Sequence, residues 1–284
     1  MMAKVHLKNR FKGRPAVCLG LLIGVCSIAL QAETLRWQGS LEQGALLMGE
    51  IPAGYTASYN QQPLQVTAEG QFLLGLGRQA PSSIELTVTS PQGFETKAQF
   101  PVRKRQYNIQ RVEGVPQITV NPRAEHLARI RNDSVLVKRA RRDITESLDF
   151  LGGFQRPLEG PVTGVYGSQR FYNGVPKSPH YGVDYAAPIG ALVMAPASGV
   201  VRLAHRDLFY SGGTLIVDHG HGLSSTFLHL SEILVEEGMR VERGKPIAKV
   251  GATGRATGPH LDWRMNWRQV RIDPVLVLQA LPVR

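Results

Sequence analysis

The chain has 284 residues and a formal net charge of +11, from 33 Lys and Arg against 22 Asp and Glu. That length allows one or two domains. Both cysteines, Cys18 and Cys26, fall in an N-terminal apolar run, which excludes thiolate metal sites and a cysteine nucleophile from everything after it.

Residues 1–32 read as a secretory signal peptide. Lys4, Lys8, Arg10, Lys12 and Arg14 form a basic start with no acidic residue, Ala16 to Leu30 is almost continuously apolar, and Gln31-Ala32 offers a cleavage point. The alternative is an uncleaved anchor, but the run is shorter than the roughly 18–20 residues a spanning helix needs. Removing the five basic residues of this segment lowers the charge from +11 to +6 and leaves 252 residues with no stable membrane span. The expected location is the periplasm or another part of the cell envelope. Nucleic acid is a poor partner there. An anionic wall polymer or membrane surface fits a basic exported chain, although the same charge also serves solubility.

Residues 33–105 read as an all-β accessory domain of the β-sandwich type. Short runs at 45–48, 64–66, 71–74 and 84–88 are apolar or alternating, and Pro52-Ala53-Gly54, Glu69-Gly70 and Pro91-Gln92-Gly93 separate them. Histidines and acidic clusters are missing from it, so packing, autoinhibition or binding is the expected role. Residues 106–156 read as a linker and a basic amphipathic helix. Leu127, Ile130, Ser134, Val137, Ala140 and Ile144 share one face of a helix over 124–150, with Arg129, Arg131, Lys138, Arg139, Arg141 and Arg142 between them. That basic side is either a solvated face or a partner contact. Residues 157–284 are glycine-rich and β-rich, with candidate strands at 193–194, 200–204, 214–218, 224–228, 246–250 and 260–266. An antiparallel sheet accounts for them economically. The fold class is therefore all-β with one connecting helix.

The last unit carries the residues with chemistry: His180, Asp184, His229, His260 and Asp262. Imidazole and carboxylate are ligand types that catalytic zinc accepts, and imidazole also carries protons near neutral pH. On a straight strand His180 and Asp184 would be about 13 Å apart, too far for one ion. The chain must bend, and Gly182 between them gives it freedom to do so. His260 and Asp262, two apart, share a strand face roughly 7 Å from each other. His229 ends an apolar stretch and can arrive from a neighbouring strand. Trp263, Met265 and Trp267 fit a core better than a substrate platform. Tyr181 and Tyr210 are candidates for lining a groove.

The segment from about Gly164 to Pro274 resembles the catalytic domain of the lysostaphin-type (LytM-type) zinc metallopeptidases. The matching stretches include Gly164-Val165-Tyr166-Gly167-Ser168-Gln169-Arg170, His180-Tyr181-Gly182-Val183-Asp184, Phe227-Leu228-His229-Leu230 and Gly258-Pro259-His260-Leu261. The resemblance implies an antiparallel β metallopeptidase core that cuts peptide cross-links of peptidoglycan, by analogy with the Gram-negative wall a D,D-peptide. It implies zinc as the cofactor, with His180 and Asp184 as ligands and His229 and His260 handling the water proton and the oxyanion. The family's third ligand is the second histidine of a His-x-His pair, and this chain has Asp262 there. Two readings follow: zinc held by one imidazole and two carboxylates, hydrolysing through metal-activated water, or a metal-free domain that binds and activates a separate cell-wall amidase or other divisome partner. In the first, the second carboxylate donates extra charge and predicts a weaker Lewis acid.

Overall fold

Hydrophobic alternation builds the N-terminal module. In the strand Ser83–Thr89, Ile84 and Leu86 are buried while Ser83 and Glu85 face outward, the period-two pattern of a sheet with one packed face. This computed structural model describes residues 35–115 and 117–283, so the expected signal peptide lies outside the described residues. The module contains two sheets. One orders Arg36–Gln38, Leu46–Glu50 and Gln71–Gly75; the other orders Gln62–Pro63, Thr56–Tyr59, Ser83–Thr89 and Glu95–Pro101. The stretch expected as a strand at 64–66 forms a single bridge, between Val66 and Phe72.

The C-terminal half is organised by one antiparallel sheet. Its strands are β1 (Val162–Gly164), β2 (Gly182–Ala186), β3 (Gly199–Leu208), β4 (Gly212–Asp218), β5 (Leu223–Leu230), β6 (Arg240–Val241), β7 (His260–Trp267) and β8 (Val270–Ile272). They run in the order β6-β3-β4-β5-β7-β2-β1, with β8 paired to β7. Every residue of β4 and β5 is buried, because both faces of the central strands are covered. On one face Leu215, Val217, Phe227, Trp263, Met265 and Trp267 join a core that continues into Leu46, Leu47 and Phe72 of the N-terminal module. Gly75 permits this approach, since a Cβ there would lie 2.7 Å from that of Trp267. The indoles thus sit in the core, as the sequence predicts.

On the opposite face, Leu203, Leu208 and Ile216 receive Leu136 and Val137 from helix α1 (Ala124–Arg139) and Ala140, which follows it. The sequence predicts this helix to continue to residue 150, but it stops at Arg139. Residues beyond it take tertiary partners instead: His221 donates its backbone N–H to Thr145 O at 2.9 Å, and Thr145 Oγ1 donates to Asp218 Oδ2 at 2.8 Å. Such contacts outweigh the few tenths of a kcal/mol that helix propensity contributes per residue. Leu127 and Ile144, predicted on the apolar face, are exposed. The basic side is also not uniformly solvated, because Arg129 pairs with Asp207 at 2.7 Å and Arg141 turns inward to Thr226.

The segment before α1 is more than a linker: Ile109–Val112 pairs in parallel with Gln169–Tyr172. A short helix α2 (Pro274–Ala280) closes the chain. Asp273 caps it by accepting from Val275 N at 2.9 Å, and proline supplies the first turn. Among the described residues no helix is long and apolar enough to cross a membrane.

Candidate metal centre and its groove

Strand register brings the two carboxylates together. Asp184 on β2 lies directly opposite Asp262 on β7, a placement in which like charges repel. His180 arrives from the loop before β2 and is fully buried. One ligand-type atom from each of His180, Asp184 and Asp262 lies within 4.8 Å of the others, so the convergence required by the sequence is met. Gly182 contributes differently from the expectation. It is not in the left-handed region, but a Cβ there would lie 2.7 Å from Trp263 O and would strike Asp262 Oδ1. Its missing side chain gives the carboxylate room. Gly164 serves Asp184 in the same way, because a Cβ there would strike Asp184 Oδ2.

Two arginines that the sequence reading overlooked resolve the carboxylate repulsion. Arg170 Nη2 donates to Asp184 Oδ2 at 2.5 Å. Arg264 donates from Nη2 to Asp262 Oδ2 at 2.6 Å and from Nε to Oδ1 at 3.0 Å and Oδ2 at 3.1 Å. Burial pushes the Asp262 carboxyl up, but the charges of Arg264 and His180 outweigh it and hold the group well below the usual range. For Asp184, burial and the Asp262 charge push up, while His180 and Arg170 pull further down. Both are carboxylates at neutral pH. Arg264 is legible in retrospect, since a residue two along a strand shares the face of Asp262. Arg170 comes from another sheet, and nothing local announces it.

The donor set fits a divalent cation. His180 Nε2 and Asp184 Oδ1 are 3.0 Å apart, yet both are buried without a hydrogen-bond partner. Unsatisfied buried polar atoms are costly and rare, and two of them side by side suit a shared third party. An ionised carboxylate offers about four acceptor positions. Arg264 brings two N–H groups to Asp262, its Nε–H shared between both oxygens, so acceptor capacity remains for an ion.

His229 and His260 stand beside this centre with ring centroids 4.8 Å apart. His229 Nδ1 is 2.8 Å from Thr253 O, and His260 Nδ1 is 2.8 Å from Gly258 O. A carbonyl can only accept, so each Nδ1 carries hydrogen and, in the neutral ring, each Nε2 keeps its lone pair. Burial pushes His229 down to about 4 against the pull of Asp262, so it is neutral at pH 7. His229 has φ +64°, a left-handed conformation that costs roughly 1–2 kcal/mol outside glycine. Such strain persists where surrounding structure enforces it; here His229 N donates to Ser211 O at 2.9 Å.

The centre opens into a groove of about 680 Å³, walled by β5 and β7, by Val137 and Arg141 near the end of α1, and by Val112, Val115 and Val120. Tyr210 lines it, as expected. Tyr181 does not; its ring packs against Tyr166 and under Arg271. His219 is structural, with Nδ1 on Ser198 O at 2.7 Å and Nε2 on Ser225 Oγ at 2.8 Å.

Comparison with known proteins gives a consistent result. Residues 178–274 match peptidase family M23. The peptidoglycan DD-endopeptidase ShyB of Vibrio cholerae is 38% identical over 148 residues, covering 52% of this chain and 30% of ShyB. The DD-carboxypeptidase/endopeptidase Mpg of Neisseria meningitidis is 41% identical over 103 residues, 36% of this chain and 23% of Mpg. The chain thus spans about a quarter to a third of the length of these curated relatives. A crystal structure of a Pseudomonas aeruginosa protein put forward as a peptidase M23 is 29% identical, with a TM-score of 0.67, covering 86% of this chain and 97% of that one.

Proposed function

We infer that this chain, whose residues 178–274 match peptidase family M23, is a zinc-dependent endopeptidase cleaving peptide cross-links of peptidoglycan. The observation that carries the reading is the convergence of His180, Asp184 and Asp262 on one point, with two buried atoms there lacking partners. The names of the relatives ShyB and Mpg support a D,D-peptide bond as the target. The N-terminal segment supports action outside the cytoplasm, in the cell envelope.

His180, Asp184 and Asp262 would hold the zinc. Bound there, zinc supplies an electrophile that polarises a carbonyl and makes water more acidic at neutral pH. The chain's own groups do the rest. His229 Nε2 and His260 Nε2 both bear lone pairs beside the centre, so either takes a proton from the attacking water. The ring that took that proton then gives it to the departing amine, which leaves the histidine neutral again. Thr253 O and Gly258 O hold the two rings in the tautomer this requires. Arg170 and Arg264 alter the expectation raised by the extra carboxylate. Each neutralises one aspartate, so the ligand set approaches the charge of an ordinary site and the predicted loss of Lewis acidity is offset.

The test is digestion of purified peptidoglycan with and without a chelator, with products identified by mass spectrometry. Conversion of cross-linked dimers to monomers, abolished by chelator and restored by zinc, is the expected result. Binding to the wall without any release of peptides would overturn the enzymatic reading in favour of a docking domain.

A further inference from the structure

The groove carries far more positive charge than its catalytic centre uses. Six cationic side chains line it, Arg141, Arg170, Lys177, Arg255, Arg264 and Arg271, against one lining carboxylate, Asp184. Arg170 and Arg264 are accounted for by Asp184 and Asp262. Arg141, Arg255 and Arg271 have no carboxylate within ion-pair distance among the described residues. Arg255 is held between the rings of Tyr172 and Tyr210, at 4.8 and 4.7 Å.

Arg141 is the most telling of these. It donates from Nη2 to Thr226 Oγ1 at 2.6 Å, and its Nε is buried with no partner. Burial, followed by the neighbouring charges of Arg271 and Arg264, presses its pKa down to about 9. Three guanidinium groups therefore crowd one end of the groove. Arg141 and Arg264 are half-buried and Arg271 is exposed at the rim, and like charges crowded at a partly desolvated groove wall disfavour one another unless an anion joins them. The register fixes where that anion would sit. Arg264 lies opposite Thr226, Arg271 lies opposite Asn266, and Asp262 lies opposite Leu228. The cluster is thus two to four strand positions from the metal centre, roughly 7–14 Å. An extended peptide covers that span with about two to four residues.

We propose that Arg141 and Arg271 form a subsite for a substrate carboxylate, placed two to four residues from the scissile bond. This deepens the endopeptidase reading and rests on it for the identity of the substrate. The guanidinium fork suits a carboxylate, and free carboxylates on cross-linking peptides supply the ligand class.

The test compares a soluble cross-linked peptide dimer with the same dimer amidated at its free carboxylates. Binding is measured by calorimetry in the presence of chelator, and cleavage separately with zinc. The carboxylate form should bind about 10- to 100-fold tighter, the range for hydrogen bonds to a charged group. Arg141→Gln and Arg271→Gln should each narrow that ratio. Equal binding of the two dimers to the native protein overturns the proposal without relying on any variant. An undiminished ratio in both variants overturns it as well. Discrimination in binding without cleavage keeps the subsite and removes the endopeptidase. Cleavage with no discrimination removes the subsite alone.

Discussion

Replacing Arg264 with glutamine isolates the electrostatics on which the centre depends. Arg264 holds Asp262 through contacts of 2.6–3.1 Å, and Asp262 faces Asp184 across the strand pair. Opposite unit charges about 4 Å apart attract by about 4 kcal/mol at an effective dielectric near 20. Breaking a buried pair from one side costs about 3–5 kcal/mol, because a charge is left without compensation. The two figures agree on a loss of about 4 kcal/mol in the metal-free variant, a large share of the roughly 5–15 kcal/mol that stabilises a domain. A divalent ion can replace the missing positive charge, so zinc should restore more stability to Arg264→Gln than it adds to the native chain. At one zinc concentration, set at about 100 times the native dissociation constant, the native chain gains about 2.7 kcal/mol and a tighter-binding variant gains more. Urea unfolding at pH 7, with chelator and with excess zinc, measures both quantities. A variant as stable as the native chain in chelator, or one whose response to zinc is no larger, refutes the reasoning.

Other consequences concern separate parts of the fold. Gly182→Ala should cost about 1–3 kcal/mol by overpacking and weaken zinc binding, since its Cβ would press on Trp263 O and Asp262; unfolding and metal titration report the two effects. His229→Ala and His260→Ala should each lower cleavage by about 100- to 10,000-fold while zinc remains bound, as seen by metal analysis of the purified variants. His219 is buried, and burial holds its pKa below the ordinary value. The unfolded chain, titrating near about 6.5, therefore takes up a proton first. The stability this histidine contributes is complete above about pH 6.5 and declines as pH falls toward the lower folded value, with a slope of up to about 1.4 kcal/mol per pH unit. Denaturation curves between pH 7 and 5 should show that decline, and His219→Asn should flatten it.

The sequence made the catalytic sheet legible because its strands are long, apolar and punctuated by glycine. The strands expected at 200–204, 214–218, 224–228 and 260–266 appear as Gly199–Leu208, Gly212–Asp218, Leu223–Leu230 and His260–Trp267. The convergence of the five residues proposed for metal and proton roles was legible for a related reason: their spacing admits one meeting point once the strands pair. What stayed hidden depends on distant partners. The parallel pairing of Ile109–Val112 with Gln169–Tyr172 joins segments about 60 residues apart, with no local signature. Arg170 finds Asp184 from a different sheet. The end of α1 follows from contacts with the β4–β5 turn and from no breaker in its own sequence. Arg141 had the pattern of a solvated helical charge, and the sheet beneath α1 turned it into a groove residue.

The account stands or falls on whether three separated segments hold one ion. Titration of the chelator-treated protein with zinc, followed by calorimetry, tests this directly in the native chain and in His180→Ala. The account predicts one equivalent bound by the native chain and none bound at that affinity by the variant. Equal binding by both, or no binding by the native chain, would contradict it.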